Sequence, residues 1–153
     1  MTKQSQIESF WQRFLASFNF SSQITYEAWS FGDSPEMADE LLGLVLEGIK
    51  TATASAFIVY ECDREPIPEV GSYSICLDGN DVPRCVIQTI AVKTVPFKEI
   101  SPEDAYQEGE GDRSLAYWRR VHQDFWEREL VSYPVTFSEE LLVVYEEFKV
   151  VYQ

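Results

Sequence analysis

The sequence predicts an α+β fold in which a curled, mostly antiparallel sheet, small enough to close as a β-barrel, carries helices at its periphery. Two patterns predict it. Apolar residues recur with helical period in separate stretches near the start of the chain, after residue 34 and after residue 114. Between and after them lie runs of β-branched and aromatic residues bounded by Gly, Pro and Asp/Asn turns. No Gly/Ser-rich linker divides the 153 residues, a length near that of one ordinary domain, so residues 1–153 are read as a single domain.

Ile7, Phe10, Trp11, Phe14, Leu15 and Phe18 share one face of a helix over about residues 3–18. Its polar face carries Gln, Ser and Glu rather than the Lys and Arg of a membrane-surface helix, so residues 1–20 are expected to pack on the domain. Residues 25–31 read as a short strand. The run Asp33-Ser34-Pro35-Glu36 opens a helix, with either Ser34 capping before Pro35 or Asp33 capping with Glu36. Met37, Leu41, Leu44 and Val45 form its apolar stripe, and Gly48 suits the left-handed position that ends it. Residues 51–60 read as a strand that begins with alternating small polar and apolar residues and turns fully apolar. A second strand over 72–77, a turn at 78–81 and a long strand over 84–95 follow as a hairpin. Ser101-Pro102 opens a short helix. A longer one carries Leu115, Trp118, His122, Phe125, Trp126 and Glu129 on one stripe, and residues 141–152 form a last strand or strand pair.

Charge narrows the partners. Here 26 acidic residues face 12 basic ones, a net charge of −14, whereas a protein that coats duplex DNA neutralises phosphates with excess Lys and Arg. Sequence-independent duplex binding and adsorption to anionic membranes are therefore not expected, while a small-molecule nucleoside or a short single-stranded RNA still fits one local site. Cys62, Cys76 and Cys85 form no CxxC pair, and a single histidine builds no zinc cluster, so no metal is expected. Phosphate-cradling and dinucleotide-binding glycine motifs are missing, and no cofactor is expected. The start MTKQSQ has no apolar h-region, and no apolar run reaches the ~18 residues a bilayer requires, so a cytoplasmic location is expected. Oligomeric state is not legible.

Two constellations can carry chemistry. In Gly48-Ile49-Lys50-Thr51-Ala52-Thr53-Ala54-Ser55 the two-residue strand period puts Thr51, Thr53 and Ser55 on one face and the alanines on the other. Lys50, at the junction of helix and strand, can swing onto the hydroxyl face, where an amine and hydroxyls would surround a carbonyl or phosphate oxygen. The plain alternative is a solvated Lys at a helix C-terminus beside ordinary strand threonines. In Glu108-Gly109-Glu110-Gly111-Asp112-Arg113-Ser114, two glycines among three carboxylates make a loop whose backbone can approach a ligand closely. Such a loop suits a general acid or base, an acceptor for a base edge, or a weak Mg²⁺ or Ca²⁺ site, and equally a solvated loop in which Asp112 or Ser114 caps the next helix. His122 lies on an apolar face between Trp118 and Phe125, where a satisfied core histidine is the commoner outcome.

Phe31-Gly32-Asp33-Ser34, then Gly48-x-Lys50-x-x-Thr53, then the Glu108–Asp112 loop followed by Trp118 and His122, together resemble the ASCH family over about residues 25–150. The resemblance implies a PUA-like β-barrel with the GxKxxT segment in a cleft beside it. It implies RNA binding, ribonuclease activity, or hydrolysis of the acyl amide of N4-acylated cytidine by a Lys, a Thr and a Glu. Carried onto this sequence, the catalytic set is Lys50, Thr53 and Glu108, with Glu110 as the alternative acid. Thr51, Ser55 and Glu110 are the expected ligand contacts around that set, with Asp112, Arg113 and Ser114 from the loop. Phe31, Trp118 and His122 are the expected aromatic ones, Trp29 and Tyr60 also being available for stacking on an unpaired base. Whether Lys50 acts neutral as a base or charged toward an oxyanion stays open at this level.

Overall fold

The computed structural model describes residues 2–20 and 23–153, so Met1, the first residue of the expected 1–20 segment, lies outside it. The elements in chain order are α1 (Lys3–Phe18), β1 (Tyr26–Trp29), α2 (Pro35–Leu46), β2 (Ala52–Ala56), α3 (Phe57–Asp63), β3 (Tyr73–Leu77), β4 (Pro83–Pro96), α4 (Pro102–Glu108), α5 (Leu115–Glu129) and β5 (Leu142–Tyr152). The strands are hydrogen-bonded in the order β1-β3-β4-β5-β2. The α+β class and the mostly antiparallel sheet are as expected. The sheet stays open rather than closing on itself, with β1 and β2 at its ends, and the β1–β3 pair is parallel. No helix among the described residues is long and apolar enough to cross a membrane.

By contacts the chain divides into two compact units, one of Met1–Gly48, Val70–Ile90 and Phe148–Gln153, the other of Ile49–Glu69 and Ala91–Glu147. The first owes its core to α1. The Thr2 side chain accepts from the Ser5 amide at the helix start, and Asn19, in the left-handed region at φ 57°, ends it. Ile7, Phe10, Trp11, Phe14 and Leu15 are buried against Ile75, Leu77 and Val86. The Trp11–Tyr26 centroids lie 4.6 Å apart, and such ring pairs contribute roughly 0.5–1.5 kcal/mol beyond area burial. Phe18, expected on the same stripe, is half exposed because the helix stops there. In α2 it is Ser34 that caps, accepting from the Met37 amide, with Pro35 in the first turn. The buried face runs through Ala38, Leu42 and Val45, so it is turned by about one residue from the expected stripe. Cys76 and Cys85 are buried and face one another in the β3–β4 register; Cys62 is exposed, and none of the three is in a disulfide.

In the second unit β2 pairs antiparallel with β5, and the predicted division of faces holds. Ala52 and Ala56 are buried with Phe97, Trp118, Trp126, Val143 and Tyr145. The strand expected to continue to residue 60 instead ends at Ala56, and Phe57–Asp63 is helix α3. A short apolar run has no periodicity to separate strand from helix, and here Ile58 and Val59 bury more surface by packing back on the core as a helical turn. Helix α4 starts with a capping box between Ser101 and Asp104, and Ser114 caps α5 by accepting from the Tyr117 amide.

Candidate functional site

The site is assembled in the second unit by two loops that lock together through their backbones. After the preceding helix ends at Gly48 (φ 79°), the link 49–51 runs against the C-terminal end of α4. The Thr51 amide donates to the Gln107 carbonyl at 2.8 Å, and the Thr51 hydroxyl adds a second bond to the same oxygen at 3.3 Å. Gly109 has φ 73°, and a Cβ on it would stand 2.6 Å from the Ile49 carbonyl oxygen, so both conformation and space demand glycine there. Gly111 is as constrained, because an added Cβ would sit 2.4 Å from the Tyr117 ring. Arg113 clamps the loop, its Nε donating to the Tyr106 carbonyl at 2.9 Å and a terminal nitrogen to the Ile49 carbonyl at 3.3 Å. Its guanidinium also lies 3.6 Å from the centre of the Tyr106 ring. The two glycines thus let the loop lie flat on Ile49 and Tyr117.

Lys50, only 2% exposed, donates to Glu110 Oε2 at 2.9 Å, Glu108 Oε1 at 3.2 Å and the Glu108 carbonyl at 3.4 Å. An ammonium has three protons, and three acceptors surround it. Glu108, 1% exposed, is held from its other side as well: Trp118 Nε1 donates to Oε2, and His122 Nε2 stands 3.4 Å from Oε1. His122 stacks on Trp118 with centroids 4.1 Å apart, and its Nδ1 lies 2.9 Å from the Trp118 carbonyl. A carbonyl only accepts, so Nδ1 carries a proton. Nε2 faces the Glu108 carboxylate, which favours the protonated form of His122.

The electrostatics follow from that packing. Burial alone pulls Lys50 down, but the charges of Glu108 and Glu110 outweigh it and its pKa is raised. Burial pushes Glu108 up, yet His122 and Lys50 overcome it and leave the carboxyl at about 2. His122 is raised because the Glu108 charge outweighs desolvation. Glu110 moves the other way, raised chiefly by burial and also by Glu108 against the pull of Lys50. Its side chain is 12% exposed against 1% for Lys50 and Glu108, so Glu110 is the more accessible of the two acids. Glu108, Glu110 and His122 offer atoms within 4.8 Å of one another that could ligate a metal. The Lys50 ammonium already bridges the two carboxylates, so a divalent ion would have to displace it.

Five of the predicted residues, Lys50, Glu108, Glu110, Trp118 and His122, therefore meet in one buried network. Thr51, Asp112, Arg113 and Ser114 serve the loops that build it: Asp112 accepts from the Ser114 amide at 2.9 Å, and the Ser114 hydroxyl first, then this amide, hold its carboxyl below the ordinary range. Thr53 and Ser55 stand half-buried on β2, opposite Glu146 and Val144 of β5. Phe31 lies in the core of the first unit beside Trp29 and Phe148. Glu146, 6% exposed, escaped the sequence reading. The signal was present, since two successive acids interrupt an apolar strand and one of them must face inward.

The family model described as ASCH domain matches residues 27–152. A crystal structure of a protein from Enterococcus faecalis superposes with a TM-score of 0.90 at 36% identity, covering 97% of this chain and 89% of that one. The crystal structure of an ASCH domain from Lactobacillus crispatus gives a TM-score of 0.90 at 30% identity over 97% of this chain and 96% of that one. No curated protein is detectably similar to the sequence. A loop-built Lys/Glu/Glu/His network carried by a chain with these likenesses leads to one conclusion: the protein belongs to the ASCH domain family.

Proposed function

We propose that this ASCH protein binds a small nucleoside or a single RNA base at the Lys50–Glu110 edge of the network and hydrolyses an acyl amide on it, N4-acylated cytidine being the substrate class. The observation that carries the reading is the buried Lys50 amine set between two carboxylates, 3.2 Å from Glu108 Oε1 and 2.9 Å from Glu110 Oε2, the second of them partly open to solvent. Lys50 acts as a cation toward developing negative charge on the amide oxygen rather than as a base. Glu110 is the group that exchanges protons, since its two ionisation states lie closer in energy than those of Glu108. Glu108 acts as the anchor that keeps Lys50 charged and in place. Thr53 is the nucleophile, a hydroxyl three residues along the chain on the face of β2 turned from the core.

Turnover of N4-acetylcytidine and related acylated nucleosides, followed by release of the free base amine, tests it. Glu110→Gln removes the proton carrier while keeping shape, and kcat is expected to fall by roughly 10²–10⁴-fold with circular dichroism unchanged. Full activity in that variant, or no turnover of any acylated nucleoside by the wild type, would refute the reading. A second reading has an observation of its own behind it: every proton of Lys50 is already held by a protein acceptor. That supports recognition of an unpaired base without chemistry, and it predicts nucleoside or short-RNA binding with no product formed.

A further inference from the structure

We propose that Cys76 and Cys85 are a buried dithiol that a peroxide-class oxidant converts into a cross-strand disulfide, a modification that staples the β3–β4 hairpin. The pair lies in the first unit and is independent of the chemistry proposed at Lys50.

A disulfide needs two sulfurs on one face with their Cα atoms about 4.4–6.8 Å apart. Directly opposed residues of an antiparallel pair meet that condition, at about 4.5 Å or 5.5 Å according to the hydrogen-bonding pattern. Cys76 and Cys85 are opposed in this way, on the last regular rung before the register slips between Cys76 and Leu77. Their side chains share a face as well as a rung. Both are buried in one cluster with Phe31, Leu42, Val45, Ile87 and Phe148, whereas Ile75, Leu77 and Val86 pack with the α1 residues on the other face. A hydrogen bond from the Cys76 thiol holds Cys85 below the ordinary thiol range, against the opposing effect of burial. That makes Cys85 the attacking sulfur.

The rung is brought together locally. Asp78 fixes the turn, its carboxylate accepting from the Asn80 and Val82 amides at 2.9 and 3.0 Å and its amide donating to the Val82 carbonyl at 2.9 Å. No long loop has to close to pair the sulfurs. Both thiols are 0% exposed, so the oxidant reaches them when the surrounding core opens, while the turn keeps the two strands paired.

The chemistry balances. The Cys85 thiolate attacks one oxygen of the peroxide, the O–O bond breaks, and hydroxide leaves and takes up the proton that Cys85 gave up. The Cys76 sulfur then attacks the resulting sulfenic acid, forming the S–S bond and releasing the second oxygen as water with the proton of Cys76. Two thiols and one hydrogen peroxide become a disulfide and two waters, the thiols losing two electrons and the peroxide gaining them. The new bond restricts the unfolded chain, so the oxidised protein resists urea better than the reduced one.

The test uses the full chain carrying Cys62→Ser, in which Cys76 and Cys85 are the remaining cysteines. It is treated with hydrogen peroxide, unfolded in guanidinium, exposed to iodoacetamide and weighed by intact mass spectrometry. The expected product is lighter than the reduced protein by two hydrogens and takes up no alkyl group until dithiothreitol is added, after which it takes up two. A peptide map is expected to join the segments that hold Cys76 and Cys85, and the urea midpoint is expected to rise on oxidation and return on reduction. Two alkylatable thiols after peroxide treatment, both in water and in urea just below the midpoint, sink the proposal. So do oxygens added in place of hydrogens lost, a disulfide formed between two chains, or an internal disulfide that lowers the midpoint.

Discussion

The two compact units bury different things. In the first, the buried polar residues among those described are Ser74 and Thr89, and the interior is otherwise apolar and aromatic. In the second, Lys50, Asp104, Glu108, His122 and Glu146 are all buried, so every buried charged residue among those described falls in that unit. Burying an ion pair seldom stabilises a fold more than an apolar pair of equal volume would. A unit that collects several such ions gives up stability for a preformed electrostatic arrangement, which is what a reactive site requires. The first unit is built on apolar burial, the second on apolar burial together with a cluster of buried charges.

Substitutions can break that contrast. Phe14→Ala in the first unit leaves a cavity and is expected to cost about 3–5 kcal/mol in urea unfolding. Lys50→Met in the second is expected to cost a similar amount, about 3–5 kcal/mol, for a different reason: it strands buried carboxylates. The difference shows in rescue. Adding Glu110→Gln to Lys50→Met leaves Glu108 balanced by His122 and is expected to recover much of the loss, whereas the same change does nothing for Phe14→Ala. Absence of rescue would mean that Lys50 matters for packing and not for charge.

A smaller effect should come from Gly109→Ala. It forces an L side chain into a left-handed conformation against the Ile49 carbonyl, at roughly 1–3 kcal/mol. It should also displace Glu110 from Lys50, so activity is expected to fall further than stability. Next comes pH. The folded pKa of His122 is raised, so its contribution is fully present below the unfolded value of 6.5 and is lost as pH rises through the folded one. Glu110, also raised, adds the same sign above its ordinary 4.5. Glu108 is depressed, so its contribution is present above 4.5 and lost as pH falls toward about 2. Thermal melts of His122→Gln are expected to lose part of the decline in Tm above neutral pH and to keep the acid-side decline. The smallest effect sharpens the contrast: the Lys98–Glu140 ion pair is only 2.6 Å long, yet both side chains are about half exposed or more. Lys98→Ala is expected to leave Tm unchanged, because water competes for an exposed pair however short it is.

Much of this was legible before any coordinates. The α1 stripe, the left-handed glycine at 48 and the hairpin of β3 and β4 each follow from local periodicity or turn chemistry, while the caps of α2 and α5 were narrowed to two residues each before the structure selected Ser34 and Ser114. Helix α3 was not, since Phe57–Tyr60 satisfies strand and helix alike and only packing against Trp118 and its neighbours selects one. At the site, Lys50, Glu108 and Glu110 were named from motif spacing, but the sequence could not rank the two acids. Their difference comes from Trp118 and His122 reaching Glu108 and not Glu110, a matter of side-chain direction from another helix.

By itself the sequence determined which residues had to be small, capped or turned to the core, because those demands act over one helical turn or one strand pair. It also determined the net charge of −14. Only the tertiary structure decided that an amine, two carboxylates and an imidazole from segments some 60 residues apart share one cluster. Only there was Glu146 set against Thr53. The reason is that charge states and strand register depend on what neighbours remove water and on which strand lies alongside, and neither is written within a local window of residues.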